Sequence, residues 1–163
     1  MSSEKILTSD VLITSKTNLK GEIIYANEDF LRYSDYKIEE ILYKPHSIMR
    51  HPDMPRTVFK YLWDNIQLKK EVFAFVKNKT KYNDYYWVFA NVTASCDENG
   101  NILNYYSVRR KPNMEAIKTI EEIYKVLLLK EKDGGIKSGI EELKAIVKSY
   151  GVTYNELMMK IQK

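Results

Sequence analysis

The chain has 163 residues, of which 44% are hydrophobic and 29% are charged. That composition is typical of a folded globular protein and excludes an intrinsically disordered one. The net charge of +4 comes from 26 basic and 22 acidic residues, which are interspersed along the chain. A nucleic-acid-binding protein usually concentrates its Lys and Arg residues on one stripe, so nucleic acid is not the expected partner.

Membrane, secretory and metal-binding classes are also disfavoured. No apolar run approaches the about 18–20 residues that a membrane span requires, and the N-terminus does not lead into a signal-peptide core. The single cysteine, Cys96, allows no internal disulfide, and the only histidines, His46 and His51, leave little room for a metal cluster. We therefore expect a cytoplasmic protein without a membrane span of its own.

The first part of the chain predicts a hairpin followed by short helices. The β-prone runs 11–14 and 22–26 flank a segment rich in turn-forming residues. Asn27 then begins a helical stretch, and residues 38–43 add another turn or two of helix. The loop over residues 45–55 contains three prolines, so it leaves no room for a long regular element.

The middle of the chain predicts one helix and three strands. Apolar residues recur at helical spacing over 56–68, and strands follow over 71–78, 84–95 and 102–110. The turn before the last strand contains Asn99-Gly100, a pair typical of hairpins. Five antiparallel strands with helices between the second and third predict an α+β domain whose five-stranded sheet carries short helices on one face.

Three further helices are predicted at the C-terminus. They span residues 113–131, 138–149 and 153–162, and Gly134-Gly135 breaks the chain after the first. Their apolar stripes exceed what isolated short helices can leave in water. The sequence allows them either to fold back on the sheet or to dock on a partner.

Several short motifs recur in a known family. They are Tyr25-Ala26-Asn27, Tyr33-Ser34-Asp35-Tyr36, Arg50-His51-Pro52-Asp53-Met54-Pro55, Tyr86-Trp87-Val88 and Ser107-Val108-Arg109. With the order of elements, they resemble the PAS domain of the aerotaxis and energy-taxis receptor family over residues 11–130, most specifically in the run 50–55. The resemblance implies the PAS fold, with an N-terminal cap over 1–10, a PAS sensor domain over 11–111 and a C-terminal helical extension over 112–163.

The resemblance also implies a function. Members of that family bind FAD non-covalently and report the redox state of respiration to the chemotaxis machinery. The full-length receptor continues into a membrane span and a coiled-coil signalling domain, whereas this chain ends at Lys163. It therefore resembles the PAS-only component of a bipartite energy-taxis system. The expected partner is a membrane-associated chemotaxis transducer, which would bring the cytoplasmic protein to the membrane, and a homodimer is compatible with the resemblance.

The most specific motif suggests the first cofactor-binding residues. Arg50 and His51, held on the proline-stiffened loop, could meet the anionic half of FAD or the carbonyl edge of its ring, because guanidinium groups form strong charge-assisted bonds. Asp53 could orient either side chain. The alternative is that Arg50 and Asp53 pair only with each other and cap the helix that begins near Pro55.

Two further candidates lie on predicted strands. The resemblance aligns Asn78 with an asparagine of light-sensing flavin relatives, where an amide offers both a donor and an acceptor to the ring edge. The alternative is a hairpin-end asparagine that bonds local backbone. The same register places Arg109 near the redox-active edge of the ring, as a hypothesis for the switch. Those relatives also form a photochemical bond from a cysteine on a central helix. The corresponding helix of this chain has no cysteine, and Cys96 lies in a turn, so such photochemistry is excluded.

Strand 84–95 has two distinct faces because successive side chains alternate. The register that the resemblance gives to Asn78 turns one face of the strand toward the expected ligand pocket. The side chains on that face are Tyr86, Val88, Ala90 and Val92. Trp87 and Phe89 then lie on the outer face, where large apolar groups need a cover. The cover could be the N-terminal segment, helix 113–131, a second copy or the transducer.

The family match adds the remaining candidates. Phe59 and Trp63 lie one helical turn apart and could pack near the ring and adenine, although such a pair is also typical of a core. Phe73 stands where the family often has a tryptophan beside its flavin and could stack on the ring. The match also covers Asn27 and His46.

The sequence leaves three function classes to separate. The preferred one is an FAD-binding redox sensor that performs no substrate turnover. The alternative is a PAS interaction module without flavin, or with haem held by His46 or His51. A flavin-dependent reductase is least favoured, because the chain has no glycine-rich dinucleotide fingerprint.

Overall fold

A five-stranded antiparallel sheet forms the centre of the molecule. The computed structural model describes residues 1–163, and the strand order across the sheet is β2-β1-β5-β4-β3. The strands are β1 (Ile13–Thr17), β2 (Ile23–Ala26), β3 (Val72–Lys79), β4 (Tyr85–Cys96) and β5 (Ile102–Arg110). The predicted five-stranded α+β fold is confirmed, although β1 begins and ends later than the predicted 11–14 because its pairing with β5 continues to Thr17.

Short helices occupy the connection between β2 and β3, as the sequence predicted. They are α1 (Glu28–Ser34), α2 (Ile38–Ile41), a 3₁₀ helix (His46–Met49) and α3 (Arg56–Gln67). Asn27 caps α1, since its side chain accepts a hydrogen bond from the backbone N–H of Phe30 at 3.0 Å. The 3₁₀ helix is the only regular element in the proline-rich loop.

Two helices follow the sheet. They are α4 (Met114–Ser149) and α5 (Tyr154–Gln162). The predicted break at Gly134-Gly135 is a kink inside α4, where Gly135 has φ 72° and ψ −165°. A residue with a Cβ rarely adopts that conformation, so the glycine permits the two arms of α4 to take different directions. No helix combines the length and the apolar character needed to cross a membrane.

The two C-terminal helices fold back on the outer face of the sheet. The ring of Tyr124 stacks on Trp87 with centroids 6.2 Å apart, and its hydroxyl donates to the carbonyl of Phe75. Farther along, Asn155 accepts from the N–H of Phe73 at 3.1 Å and donates to the carbonyl of Glu71 at 2.9 Å. The chain therefore covers the outer aromatic residues itself, which the sequence alone had left open.

The N-terminal residues also pack against the sheet. Lys5 donates its backbone N–H to the carbonyl of Tyr85 at 2.7 Å, beside the part of β4 that lies beyond the end of β5. Its ammonium group pairs with Asp35 at 2.7 Å, and the Leu7 side chain is buried. These contacts join the N-terminus to the end of α1.

Candidate functional site

A cavity of about 310 Å³ lies between the inner face of the sheet and α3. Its walls come from β1, β3, β4, β5, α3 and the segment 45–50, and the exposed Lys20 of the β1–β2 turn also borders it. Leu62, Ile66, Val76 and Val92 give it an apolar lining. Small-molecule sites in proteins span about 300–1,000 Å³ and combine apolar walls with a few placed polar groups, so this cavity has the size and the chemistry of a ligand site.

Arg109 is the most unusual residue of the cavity wall. It is only 5% exposed and forms no ion pair. Its Nη2 donates to Ser15 Oγ at 2.9 Å and to His46 Nε2 at 2.6 Å, whereas its Nη1 is buried without a partner. Burial lowers the pKa of Arg109 to about 10, so the group stays charged at neutral pH. A buried cation with a free donor favours a ligand that brings acceptor atoms or negative charge.

His46 is held neutral beside that cation. Burial and, second, the charge of Arg109 lower its pKa to about 3. A neutral imidazole that accepts from Arg109 through Nε2 carries its proton on Nδ1. Its ring also meets the edge of Phe30 with centroids 5.9 Å apart. His46 therefore acts as an acceptor that fixes one end of the Arg109 side chain.

Acidification is expected to destabilise the fold through His46. The unfolded chain binds a proton near pH 6.5, whereas the folded protein resists protonation until about pH 3. Between those values the unfolded state holds more protons, so the free energy of unfolding falls by about 1.4 kcal/mol per pH unit as the pH falls. Urea unfolding of the wild type and of His46→Gln between about pH 7 and about pH 4 measures this slope.

The slope should be shallower in His46→Gln by about that amount. His51→Gln is the matched control, since the pKa of His51 is also lowered, chiefly by burial, but its ring is less enclosed. Equal slopes in the wild type and His46→Gln would show that His46 does not carry the acid sensitivity.

A second cation, Arg50, also lines the cavity. Its guanidinium stacks over the ring of Phe59, with Cζ 3.8 Å from the ring centroid, and its Nε is buried without a partner. Burial lowers the pKa of Arg50. The backbone of Arg50 forms a β-bridge with Asn78, which links the loop to β3. The loop thereby directs a planar cation into the cavity.

Polar groups on three strands complete the inner wall. Asn78 on β3 lies directly opposite Tyr86 on β4, and both are buried. Burial raises the pKa of Tyr86 to about 12, against the charge of Arg109 and a hydrogen bond with Asn78. On β5, Ser107 has a buried hydroxyl without a partner. Arg50, Ser107 and Arg109 thus line the cavity, and each has one polar atom that is buried without a hydrogen-bond partner.

Comparison with known proteins identifies the fold family. A family model described as the PAS fold matches residues 23–109, which is more than half of the chain. The chain belongs to the PAS-fold family. The matched segment runs from the start of β2 to Arg109 and therefore contains most of the cavity wall described above.

Curated relatives with this PAS segment include sensory and regulatory proteins. The chain is 36% identical to the aerotaxis receptor of Escherichia coli K12 over 121 residues, which are 74% of the chain and 24% of the receptor. It is 22% identical to a nitrogen fixation regulatory protein of Klebsiella oxytoca over 59% of the chain and 19% of that protein. The chain thus spans a quarter or less of the length of these relatives.

Solved structures show the same PAS fold. The dark structure of the blue-light photoreceptor Aureochrome1 LOV matches with a TM-score of 0.56 and 23% identity, over 74% of this chain and 84% of that one. A light-oxygen-voltage domain studied with a flavin analogue matches with a TM-score of 0.56 and 20% identity, over 75% of this chain and 86% of that one. At these identities the likeness concerns the fold alone.

The PAS cavity brings together many of the residues predicted from the sequence. Those that line it are His46, Arg50, Phe59, Trp63, Asn78 and Arg109. Of the four residues on the predicted inward face of β4, Ala90 and Val92 line the cavity, whereas Tyr86 and Val88 are buried on the same face without lining it. The alternation of side chains along the strands accounts for this agreement.

Asn27 does not reach the cavity. Its Oδ1 accepts from the backbone N–H groups of Thr14 and Phe30, both at 3.0 Å, and its Nδ2 donates to the carbonyl of Leu12 at 2.8 Å. These bonds use the side chain to cap α1 and attach it to β1. Asn27 is therefore corrected from a cofactor-binding residue to a structural one.

His51 and Asp53 lie outside the cavity as well. Asp53 is largely exposed and pairs with Lys77 at 2.8 Å, and its backbone N–H donates to His51 Nδ1 at 3.0 Å. The ring of His51 packs against Tyr85 with centroids 5.9 Å apart. Asp53 was predicted to orient Arg50 or His51, and of these two it contacts only His51, with Oδ2 3.6 Å from Nδ1. Its orientation of Arg50, and the alternative in which Arg50 and Asp53 pair only with each other, are both wrong. The salt-bridge partner of Asp53 is Lys77.

Phe73 lies on the opposite face of the sheet from the cavity. It stacks on Phe89 with centroids 5.7 Å apart and an interplanar angle of 18°. Every second residue of β3 from Val72 to Asn78 faces the cavity side of the sheet. Phe73 is out of step with that series, so it faces the other side. The expectation that Phe73 stacks on a ring in the cavity is therefore wrong.

Ser15 is the functional residue that the sequence did not reveal. It is 1% exposed and lies opposite Ser107 in the pairing of β1 with β5, where it accepts from Arg109. A lone serine in a β-prone run carries no signal of its own. Only the strand register, which aligns β1 with β5, could have pointed to it.

Proposed function

We propose that this PAS domain binds FAD in the cavity and acts as a cytoplasmic redox sensor that signals to a membrane-associated chemotaxis transducer. The observation that carries the proposal is the buried guanidinium of Arg109 in the cavity wall, which has no acidic partner and whose Nη1 is buried without a hydrogen-bond partner. Such a group is costly to bury unless a ligand supplies acceptor atoms.

The residues present fit a flavin. A flat ring with carbonyl oxygens and nitrogen atoms along one edge matches the apolar walls and the donors of Arg109, Ser107 and Asn78. The cavity volume of about 310 Å³ suits a ring system rather than a whole dinucleotide. The anionic half would then lie beside Lys20 and Arg50, the other two cations that border the cavity.

A flavin, when bound, supplies reversible redox chemistry that changes the charge and hydrogen bonding at its ring edge. Arg109 lies in the cavity wall, where its Nη2 donates to both Ser15 and His46 and its Nη1 has no hydrogen-bond partner. More negative charge in the cavity would draw the guanidinium from those two partners. A sensor requires such a differential interaction between its two states.

The similarity to the aerotaxis receptor supports the proposed partner and location. The proposed output is a contact with a membrane-associated chemotaxis transducer, which would bring the protein to the membrane. Substrate turnover forms no part of this proposal, because a sensor uses the redox change of its cofactor as the signal. A homodimer is a further expectation from the resemblance.

The first test is the visible absorption spectrum of protein purified without added cofactor, before and after dithionite. We expect a flavin-shaped spectrum that bleaches on reduction. Arg50→Ala should weaken FAD binding about tenfold or more, since it removes a charged donor from the wall. Arg32→Ala is the matched control, because Arg32 is exposed on α1 and pairs with Asp29.

A colourless, folded protein that cannot be loaded with FAD would overturn the proposal and leave a PAS interaction module. A sharp haem band would also contradict it. Haem ligation by His46 would require its Nε2 to release the bond from Arg109 at 2.6 Å.

A further inference from the structure

Helix α3 forms one wall of the cavity but does not cap its own N-terminus. The N-cap position is Pro55, which offers no side-chain acceptor, and the first turn contains no acidic residue. The first backbone N–H groups of a helix need acceptors, and the positive end of the helix dipole favours an anion. Phe59, Leu62 and Trp63 of this helix line the cavity.

The missing acceptor comes from α4. Glu131 is 8% exposed, and its Oε2 accepts from the backbone N–H of Thr57 at 2.8 Å and from Thr57 Oγ1 at 2.7 Å. Its other oxygen lies 3.6 Å from Arg56 Nε. Residues 57 and 131 are 74 positions apart in the chain. A buried carboxylate of the C-terminal extension therefore caps the cavity helix.

Both arms of the kinked α4 converge on this contact. Glu131 precedes the kink at Gly135, and Gly139 follows it. A Cβ at Gly139 would lie 1.8 Å from Thr57 Oγ1 and 3.2 Å from Glu131 Cγ, so only a glycine permits this approach. Thr57 therefore lies between the Glu131 carboxylate, on the first arm of α4, and the backbone of Gly139, on the second arm.

We infer that Glu131 is a positioning residue that couples the contents of the cavity to the C-terminal helices. This inference rests on the proposed FAD site. If FAD shifts the inner face of α3, the cap transmits that shift to α4, because the buried charge-assisted bonds tie the start of α3 to both arms. Coupling is reciprocal, so breaking the cap must also change the affinity of the cavity for FAD.

The experiment compares full-length wild type, Glu131→Gln and the matched control Glu122→Gln, whose side chain is exposed on the same helix. Two quantities are measured: the dissociation constant for FAD, and amide hydrogen exchange of residues 136–149 with and without FAD. We expect FAD to slow exchange in that segment of the wild type and of Glu122→Gln. In Glu131→Gln this response should be lost, and FAD affinity should fall about fivefold or more.

Two further variants keep the test decisive if Glu131→Gln does not fold. Thr57→Ser retains the hydroxyl and should preserve the response to FAD, whereas Thr57→Ala should weaken it. A cap with a purely structural role would lower stability but leave the FAD-dependent change in exchange intact, and that result would overturn the inference. Failure of the wild type to bind FAD would instead overturn the proposed function, together with the coupling that rests on it.

Discussion

Replacing Arg109 by methionine is expected to weaken FAD binding tenfold or more while making the cofactor-free protein more stable. The affinity should fall because the variant loses a charged group whose Nη1 has no hydrogen-bond partner within the protein. Stability should rise because a buried cation without an acidic partner is replaced by an apolar side chain of similar length. The hydrogen bond between Ser15 Oγ and His46 Nε2, at 3.2 Å, is already present and should remain in the variant.

The measurements are FAD titration and thermal unfolding of the cofactor-free protein. A gain of about 1 kcal/mol corresponds to a rise in Tm of about 2–4 °C for a domain of this size. The matched control is Arg110→Met, since Arg110 is the next residue of β5 and is exposed. A large loss of stability in Arg109→Met would mean that the guanidinium serves the fold, which would contradict its assignment to a ligand.

Gly139→Ala is expected to destabilise the protein by about 2 kcal/mol. At an ordinary helix position the same change stabilises by about 1 kcal/mol, so the sign of the effect is diagnostic. Here the new methyl group would lie 1.8 Å from Thr57 Oγ1, which is hydrogen-bonded to Glu131 and cannot move freely. Chemical denaturation of the wild type and the variant measures the difference.

The double variant Thr57→Ala with Gly139→Ala provides the control. In the Thr57→Ala background the clashing oxygen is absent, so Gly139→Ala should cost clearly less than in the wild type. If Gly139→Ala stabilises the protein in both backgrounds, the close contact between the second arm of α4 and α3 does not form.

The period-2 pattern of the central strands was the most informative part of the sequence. It placed Ala90 and Val92 on the cavity side and Trp87 on the outer face, as the structure shows. The same pattern, applied from Asn78 back along β3, would have turned Phe73 outward. The prediction that Phe73 stacks on a flavin is wrong because it rests on the position of the residue in the family pattern. The alternation of side chains along β3 points the other way.

The run over residues 50–55 shows a different limit of sequence-based prediction. The motif brought Arg50 to the cavity but not His51 or Asp53, which lie at the surface near Lys77. In a loop without regular alternation, neighbouring side chains point in directions that the residue spacing does not specify. Only the partners of each side chain reveal its role.

The sequence by itself determined the α+β class, the order of the elements and the inward face of β4, because helical and strand periodicity and turn chemistry are set by neighbouring residues. The tertiary structure alone decided that α4 covers Trp87, that Arg109 has no acidic partner, and that Glu131 caps a helix 74 residues away. Those contacts depend on the strand register and on the direction that α4 takes after Gly135, which are properties of the whole packed chain.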